Sequence, residues 1–190
     1  FFKYIKEKIP YLFLKCAVTL DGKIAAKSGD SKWISNKKAR EKVQFYRNKF
    51  MGVMVGIGTV LNDNPRLTAR TENGVNPLRI IVDPHLKVNM DFNIIADNHD
   101  KKTMIVTSEN NKDTLKYKEL ENNFGVKFIT LPDYEFSILD ILKELGKIKV
   151  DSVMLEGGEK IISKAFKEKV IDGGEIFISD KILGDSNGKS

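Results

Sequence analysis

The sequence predicts an α/β fold of three layers, in which helices cover both faces of a mostly parallel sheet, and three observations predict it. Apolar, β-branched runs recur seven times along the chain. Amphipathic helical patterns lie between several of these runs. The runs are also close to continuously apolar, which marks strands buried on both faces rather than half-solvated ones. At 190 residues the chain has room for one domain with a real core. With 41% hydrophobic and 31% charged residues it falls in the ordinary globular range, which argues against disorder, collagen-like repeats and coiled coil.

Taken in order, the stretch up to Pro10 reads as a connector, with Pro10 punctuating it before the first strand at residues 11–20. A helix is expected over 36–50, where Ala39, Val43, Tyr46 and Phe50 form one face behind Ser35 as N-cap. Strands follow at 52–57, 78–82 and 103–107. Thr114 to Phe124 reads as a helix with Gly125 just beyond it, and 126–131 as the next strand. Ile138 to Leu145 is helical and stopped by Gly146. A strand at 152–155 leads to a helix over 159–170, with Ile161, Ile162, Ala165 and Phe166 on one stripe, and the last strand covers 175–178. No repeat, low-complexity tract or linker divides the chain.

Composition narrows the chemistry. No apolar run approaches the ~20 residues of a spanning helix and no signal-peptide pattern opens the chain, so the expectation is a cytoplasmic protein that is not membrane-bound. One cysteine, Cys16, and two histidines, His85 and His99, are too poor a set for a zinc site, so no metal is expected. Residues 1–50 carry 13 Lys/Arg against 4 Asp/Glu, a charge of +9, while the other 140 residues carry 19 against 22, or −3. Such localised charge suits an anion site better than a nucleic-acid footprint, so no nucleic-acid partner is expected.

Ligands of parallel sheets bind beyond the carboxyl ends of the strands, and three constellations fall there. In the first, a buried strand ends in Glu156, Gly157 and Gly158 and runs into a helix. The glycines permit close backbone approach, and the helix N-terminus offers amides to a phosphate. In the second, Gly56 and Gly58 precede the Asn62-Asp63-Asn64-Pro65 run, with Arg66 and Arg70 close behind. Taken alone, that run reads more readily as turn chemistry, while the two guanidiniums suit phosphate. The third is the basic quarter. Lys15 interrupts an apolar strand, Arg40 and Arg47 lie on or beside a helix, and the sole tryptophan, Trp33, sits in a Gly/Ser-rich loop where it could plug the core or cover a ligand. No Ser-His-Asp or Cys-His set can be assembled, so the carboxylates and Lys15 point to a reaction in which a cofactor carries the hard chemistry.

Together, residues 14–25, 29–35, 55–70, 78–83 and 153–158 closely resemble the reductase domain of the bifunctional riboflavin biosynthesis deaminase-reductase, and the resemblance runs unbroken from about Pro10 to Gly184. It implies a dihydrofolate-reductase-like fold. It also implies NADPH-dependent reduction of 5-amino-6-(5-phosphoribosylamino)uracil, a phosphorylated ribosylaminopyrimidine, to its ribitylamino product. Carried over residue by residue, the resemblance implies cofactor binding by Ala17, Trp33, Thr59, Asp63, Gly157, Gly158, Glu159, Lys160, Ile161, Ile162, Ser163 and Lys164. Substrate binding falls on Ser31, Arg47, Leu67, Arg70 and Glu156, with Ser31, Arg47 and Arg70 as the phosphate clamp. Lys15, Asp63 and Glu156 would be the polar catalytic residues around the reacting carbon. Pro84 stands where relatives often carry a polar residue, which weakens the case for a side-chain hydrogen bond to the cofactor there.

The same resemblance implies that residues 1–9 are the connector from a deaminase domain that lies outside this chain, and that a homodimer forms. Residues 10–184 would be the reductase domain without its last strands, leaving a sheet edge unpaired and activity weak, and 185–190 a polar tail. Two other readings stay open at this level: another dihydrofolate-reductase-like enzyme acting on a pterin, or a non-catalytic nucleotide-binding fragment. Arg47 and Arg70 favour a phosphorylated substrate over a pterin.

Overall fold

The protein is described by a computed structural model, which covers residues 2–24, 37–182 and 184. Strands β1 (Tyr11–Val18), β2 (Gly52–Gly56), β3 (Leu78–Val82), β4 (Thr103–Ser108), β5 (Lys127–Leu131), β6 (Ser152–Glu156) and β7 (Gly173–Ile178) form one sheet in the order β5-β4-β3-β2-β6-β1-β7. Every pairing is parallel. The chain steps outward from β2 through β3 and β4 to β5. It then returns to lay β6 between β1 and β2, and ends with β7 outside β1. That return opens a crevice at the carboxyl ends of β1, β6 and β2.

Helices α2 (Lys37–Lys49), α3 (Ile57–Asp63), α4 (Asn93–Ala96) and α5 (Leu115–Phe124) cover one face. Helices α6 (Ile138–Lys147) and α7 (Glu159–Lys167) cover the other, and α1 (Phe2–Glu7) precedes β1. Two cores result. Leu12, Leu14, Met54, Ile80, Val153 and Leu155 meet Ile141, Leu142, Leu145, Ile161 and Ala165 on the α6/α7 side. Val53, Val55, Ile81, Ile105 and Met154 meet Val60, Ile94, Ile95, Tyr117 and Leu120 on the other. All six residues of β4 are buried, as expected of a central parallel strand. Strand β7 has one neighbour and alternates half-buried with exposed residues, which is edge-strand patterning.

Seven strands thus lie where the apolar runs predict them, and the helix differences have local causes. Thr114 caps α5 by accepting from the Tyr117 amide at 3.2 Å, and Gly125 ends it at φ 63°. Gly146 does not stop α6. It is buried inside the helix, where a Cβ would lie 1.9 Å from the Lys8 carbonyl oxygen, so the glycine is there for close packing. Helix α7 ends at Lys167 rather than 170, and Phe166 is exposed rather than part of the buried stripe. The second strand stops at Gly56, and the following residues form α3. Its end is Asn64, left-handed at φ 42°, followed by Pro65. The connector region contains α1, which buries no residue. The N-cap expected at Ser35 lies outside the described residues.

Away from the crevice, Arg79 is buried and donates to Asp100, Asn98 and Thr103, tying β3 to β4 and the loop before it. The arginine holds the Asp100 carboxyl well below the usual carboxylate range. Among the described residues no helix is long and apolar enough to cross a membrane.

Candidate functional site

A cleft of about 1000 Å³ opens at the carboxyl ends of β1, β2, β3 and β6, where the topology places the crevice. Lys15 and Ala17 of β1, Gly56 of β2, Val82 of β3 and Glu156 of β6 all reach it. The parallel register accounts for this convergence: Lys15 stands opposite Glu156, and Gly56 opposite Val82.

The floor of the cleft is polar and buried. Glu156 is 8% exposed and forms an ion pair with the Arg47 Nη2 at 2.5 Å, although the two are 109 residues apart. Arg47 also donates to the Thr68 carbonyl at 3.4 Å. Glu156 Oε1 and Arg47 Nε are buried and have no hydrogen-bond partner. A ligand offering one donor and one acceptor would satisfy both, and buried polar atoms are rarely left otherwise. Beside this pair, β6 passes through Gly157 and Gly158 into α7. A Cβ at Gly157 would lie 3.0 Å from Thr59 Oγ1, and the Gly158 amide donates to that oxygen at 3.2 Å. The glycines therefore bring α7 and α3 close together, and the α7 N-terminus, whose first amides have no partner within the helix, opens on the cleft.

Thr59, Asp63, Leu67, Arg70, Gly157, Gly158, Glu159, Lys160, Ile161, Ile162 and Lys164 line the same cleft. Asp63 occupies the last turn of α3 instead of a loop. Ser163 is on the exposed side of α7 and does not line the cleft. Arg66 also points elsewhere: it pairs with Asp97 at 2.8 Å on the surface, so only Arg70 of the two serves the site. Ser31 and Trp33 lie outside the described residues. Lys87, Tyr134, Glu135 and Phe136 line the cleft too, although no sequence motif points to them. All four follow the ends of β3 and β5, so the carboxyl-end rule applied to every strand would have found them.

Around the cleft, Cys16, Tyr46 and Asp83 are displaced by their surroundings. Burial pushes the Cys16 thiol up, against the opposing charge of Lys15, so this cleft thiol stays protonated at neutral pH. Burial, then the hydrogen bond to Glu175, then that residue's charge push Tyr46 up to about 12. Asp83, wholly buried just behind Pro84, is raised by burial even though the Lys87 and Val88 amides oppose the shift.

The all-parallel sheet with this cleft at its carboxyl edge defines a dihydrofolate-reductase-like α/β protein. The family described as the RibD C-terminal domain matches residues 10–190, and the chain belongs to that reductase-domain family. The riboflavin biosynthesis protein RibD of Actinobacillus pleuropneumoniae is 35% identical over 192 residues, covering 100% of this chain and 50% of the relative. The RibD of Aquifex aeolicus is 37% identical, covering 97% and 50%. Among solved structures, a diaminohydroxyphosphoribosylaminopyrimidine deaminase/5-amino-6-(5-phosphoribosylamino)uracil reductase from Thermotoga maritima superposes with TM-score 0.84 at 36% identity, over 100% of this chain and 50% of that one. Acinetobacter baumannii RibD gives TM-score 0.86 at 26% identity, over 100% and 51%. The chain spans about half the length of the curated relatives it matches.

Proposed function

We propose that this chain reduces the ribosyl group of 5-amino-6-(5-phosphoribosylamino)uracil to the ribityl group, in riboflavin biosynthesis, with NADPH as reductant. The observation that carries the reading is the buried Arg47–Glu156 pair, with one orphan donor and one orphan acceptor, at the foot of the Gly157-Gly158 turn. A ligand completes the pair, and the adjoining turn admits a pyrophosphate. The residues present fit a nicotinamide dinucleotide: the Gly157-Gly158 turn, packed on Thr59, opens the α7 N-terminus to the cleft, and the α7 amides with Lys160 and Lys164 offer positive charge. When bound there, the nicotinamide supplies a hydride to C1′ of the sugar.

The chain's own residues position the substrate. Arg70 and the Arg47 guanidinium supply charge for the sugar phosphate, and Glu156 Oε1 accepts from a substrate N–H or O–H. Lys15 presents an ammonium to the same end of the cleft and Asp63 a carboxylate near α3. Proton delivery is assigned to this polar end, where Lys15 and Glu156 stand on adjacent strands.

The test is NADPH oxidation on addition of the phosphoribosylamino substrate, with dihydrofolate as the competing substrate. Turnover of the former alone is expected. Glu156→Gln should lower kcat/KM about 10- to 100-fold, the worth of a hydrogen bond to a charged group. No oxidation with either substrate, or full activity in Glu156→Gln, would remove the reading.

A further inference from the structure

Lys15 lies between two carboxylates and pairs with neither. Its register partner on β6 is Glu156, and its register partner on β7 is Glu175. Adjacent strands of a sheet are roughly 4.8 Å apart and register partners point to one face, so both acids project beside the lysine. No ion pair to Lys15 forms among the described residues; its ammonium sits 5.8 Å from the centre of the Phe177 ring and faces the cleft. Both acids are instead taken up by consecutive residues of the helix lying across that face. Arg47 holds Glu156 at 2.5 Å, and the Tyr46 hydroxyl donates to Glu175 Oε2.

We propose that Tyr46 is a positioning residue whose hydroxyl draws Glu175 away from Lys15, so that, together with the Arg47–Glu156 pair, α2 keeps the Lys15 ammonium free for an oxygen of the ligand. The proposal deepens the reductase reading and names two residues, Tyr46 and Glu175, that the resemblance did not. Arginine can hold a carboxylate by charge alone; a tyrosine does so only while protonated, and Tyr46, pushed up to about 12, keeps its proton across the working range. The ring is fixed for the task. It packs 5.0 Å from Phe13 and 6.0 Å from Phe50, centre to centre, with Lys42 5.3 Å above it. The charged groups facing the lysine are therefore Glu156 and Arg47 on one side and Glu175 on the other, with Lys42 beyond Tyr46.

Removing the hydroxyl should release Glu175 to pair with Lys15. The readout is the rate at which acetic anhydride acylates Lys15, followed by peptide mass spectrometry against exposed Lys87 as internal standard, and it needs no turnover. A part-exposed ion pair is worth roughly a factor of two to five. Tyr46→Phe should slow Lys15 labelling by about that factor, and the double variant Tyr46→Phe/Glu175→Gln should regain the wild-type rate. Unchanged labelling in Tyr46→Phe, or a double variant as slow as the single one, overturns the proposal. If Tyr46→Phe fails to fold, Glu175→Gln alone decides between the outcomes, because it removes the competing charge and leaves the aromatic packing intact. Lys15 must then label at the wild-type rate, because Glu175 is already drawn off it, and labelling clearly faster or slower than that refutes the idea. In the reductase assay, Tyr46→Phe should lower kcat/KM by a similar factor, and the double variant should recover it. Loss of that assay with the labelling pattern intact would count against the reductase reading and leave the positioning role standing.

Discussion

Single atoms carry much of the chemistry. Asp83 Oδ2 accepts from the Val88 amide at 2.8 Å while Oδ1 is buried without a partner, so ionising this carboxyl is costly in the folded state. Its pKa is raised above the ordinary 3.8, and the folded protein therefore binds this proton more tightly than the unfolded chain does. The stability this group contributes is complete below that ordinary value and is lost as pH rises toward the folded one. Asp83→Asn is therefore expected to melt higher than the wild type at pH 8, with a gap that shrinks toward pH 4. Thermal melts of both proteins across that range check it; a gap that grew on acidification would contradict the burial argument. The Arg47–Glu156 pair shows why residue-level chemistry is only half legible in a sequence. Both residues can be singled out as polar groups in suggestive places, but their contact bridges 109 positions, and nothing local announces it. Glu175 is harder still. An acid in an otherwise apolar edge strand reads as solvated, and only the register with Lys15 gives it meaning.

Elements divide by how local their signals are. The strands are legible because burial on both faces forces continuous apolar runs, and α5 because a threonine cap and a terminal glycine lie within its own sequence. Helix α3 is not. It is seven residues long, begins directly from a strand end at Gly56 and contains Gly58, so propensity argues against a helix that packing of Val60 and the α7 contact imposes. The expected stop of α6 at Gly146 fails for a related reason: a glycine required for tertiary packing has the same appearance as one that ends a helix. This gives a prediction whose sign opposes propensity. Gly→Ala inside a helix normally gains roughly 0.5–1 kcal/mol. At Gly146 the new Cβ would lie 1.9 Å from the Lys8 carbonyl oxygen and 3.1 Å from its carbon. Both are backbone atoms that cannot swing aside. Gly146→Ala should therefore lose about 1–3 kcal/mol by forcing apart α6 and the segment entering β1, read by urea unfolding. A stabilised variant would show that this contact is slack.

At the scale of the whole molecule, the order β5-β4-β3-β2-β6-β1-β7 does the organising. Inserting β6 between β1 and β2 brings Glu156, Lys15 and the Gly157-Gly158 turn together, with α2 across them on one side and α7 leaving on the other. The basic excess of residues 1–50 is sharpened by this geometry to Lys15, Arg40 and Arg47 on the cleft wall, joined from beyond that stretch by Arg70, Lys87, Lys160 and Lys164. The fold class and the site's location follow from local patterns and a general rule about parallel sheets. The pairing partners inside the site do not, because they depend on strand order. The central claim is that one cleft, at the carboxyl edge, holds the nicotinamide dinucleotide. A chain of 21.5 kDa suits a direct test by amide NMR during titration with NADP⁺. Saturable shifts should cluster at residues 56–59 and 156–164, around Thr59 and the start of α7. Absence of saturable shifts, or shifts centred on Tyr11, Gly52, Leu78 and Ser152 at the opposite edge of the sheet, would contradict it.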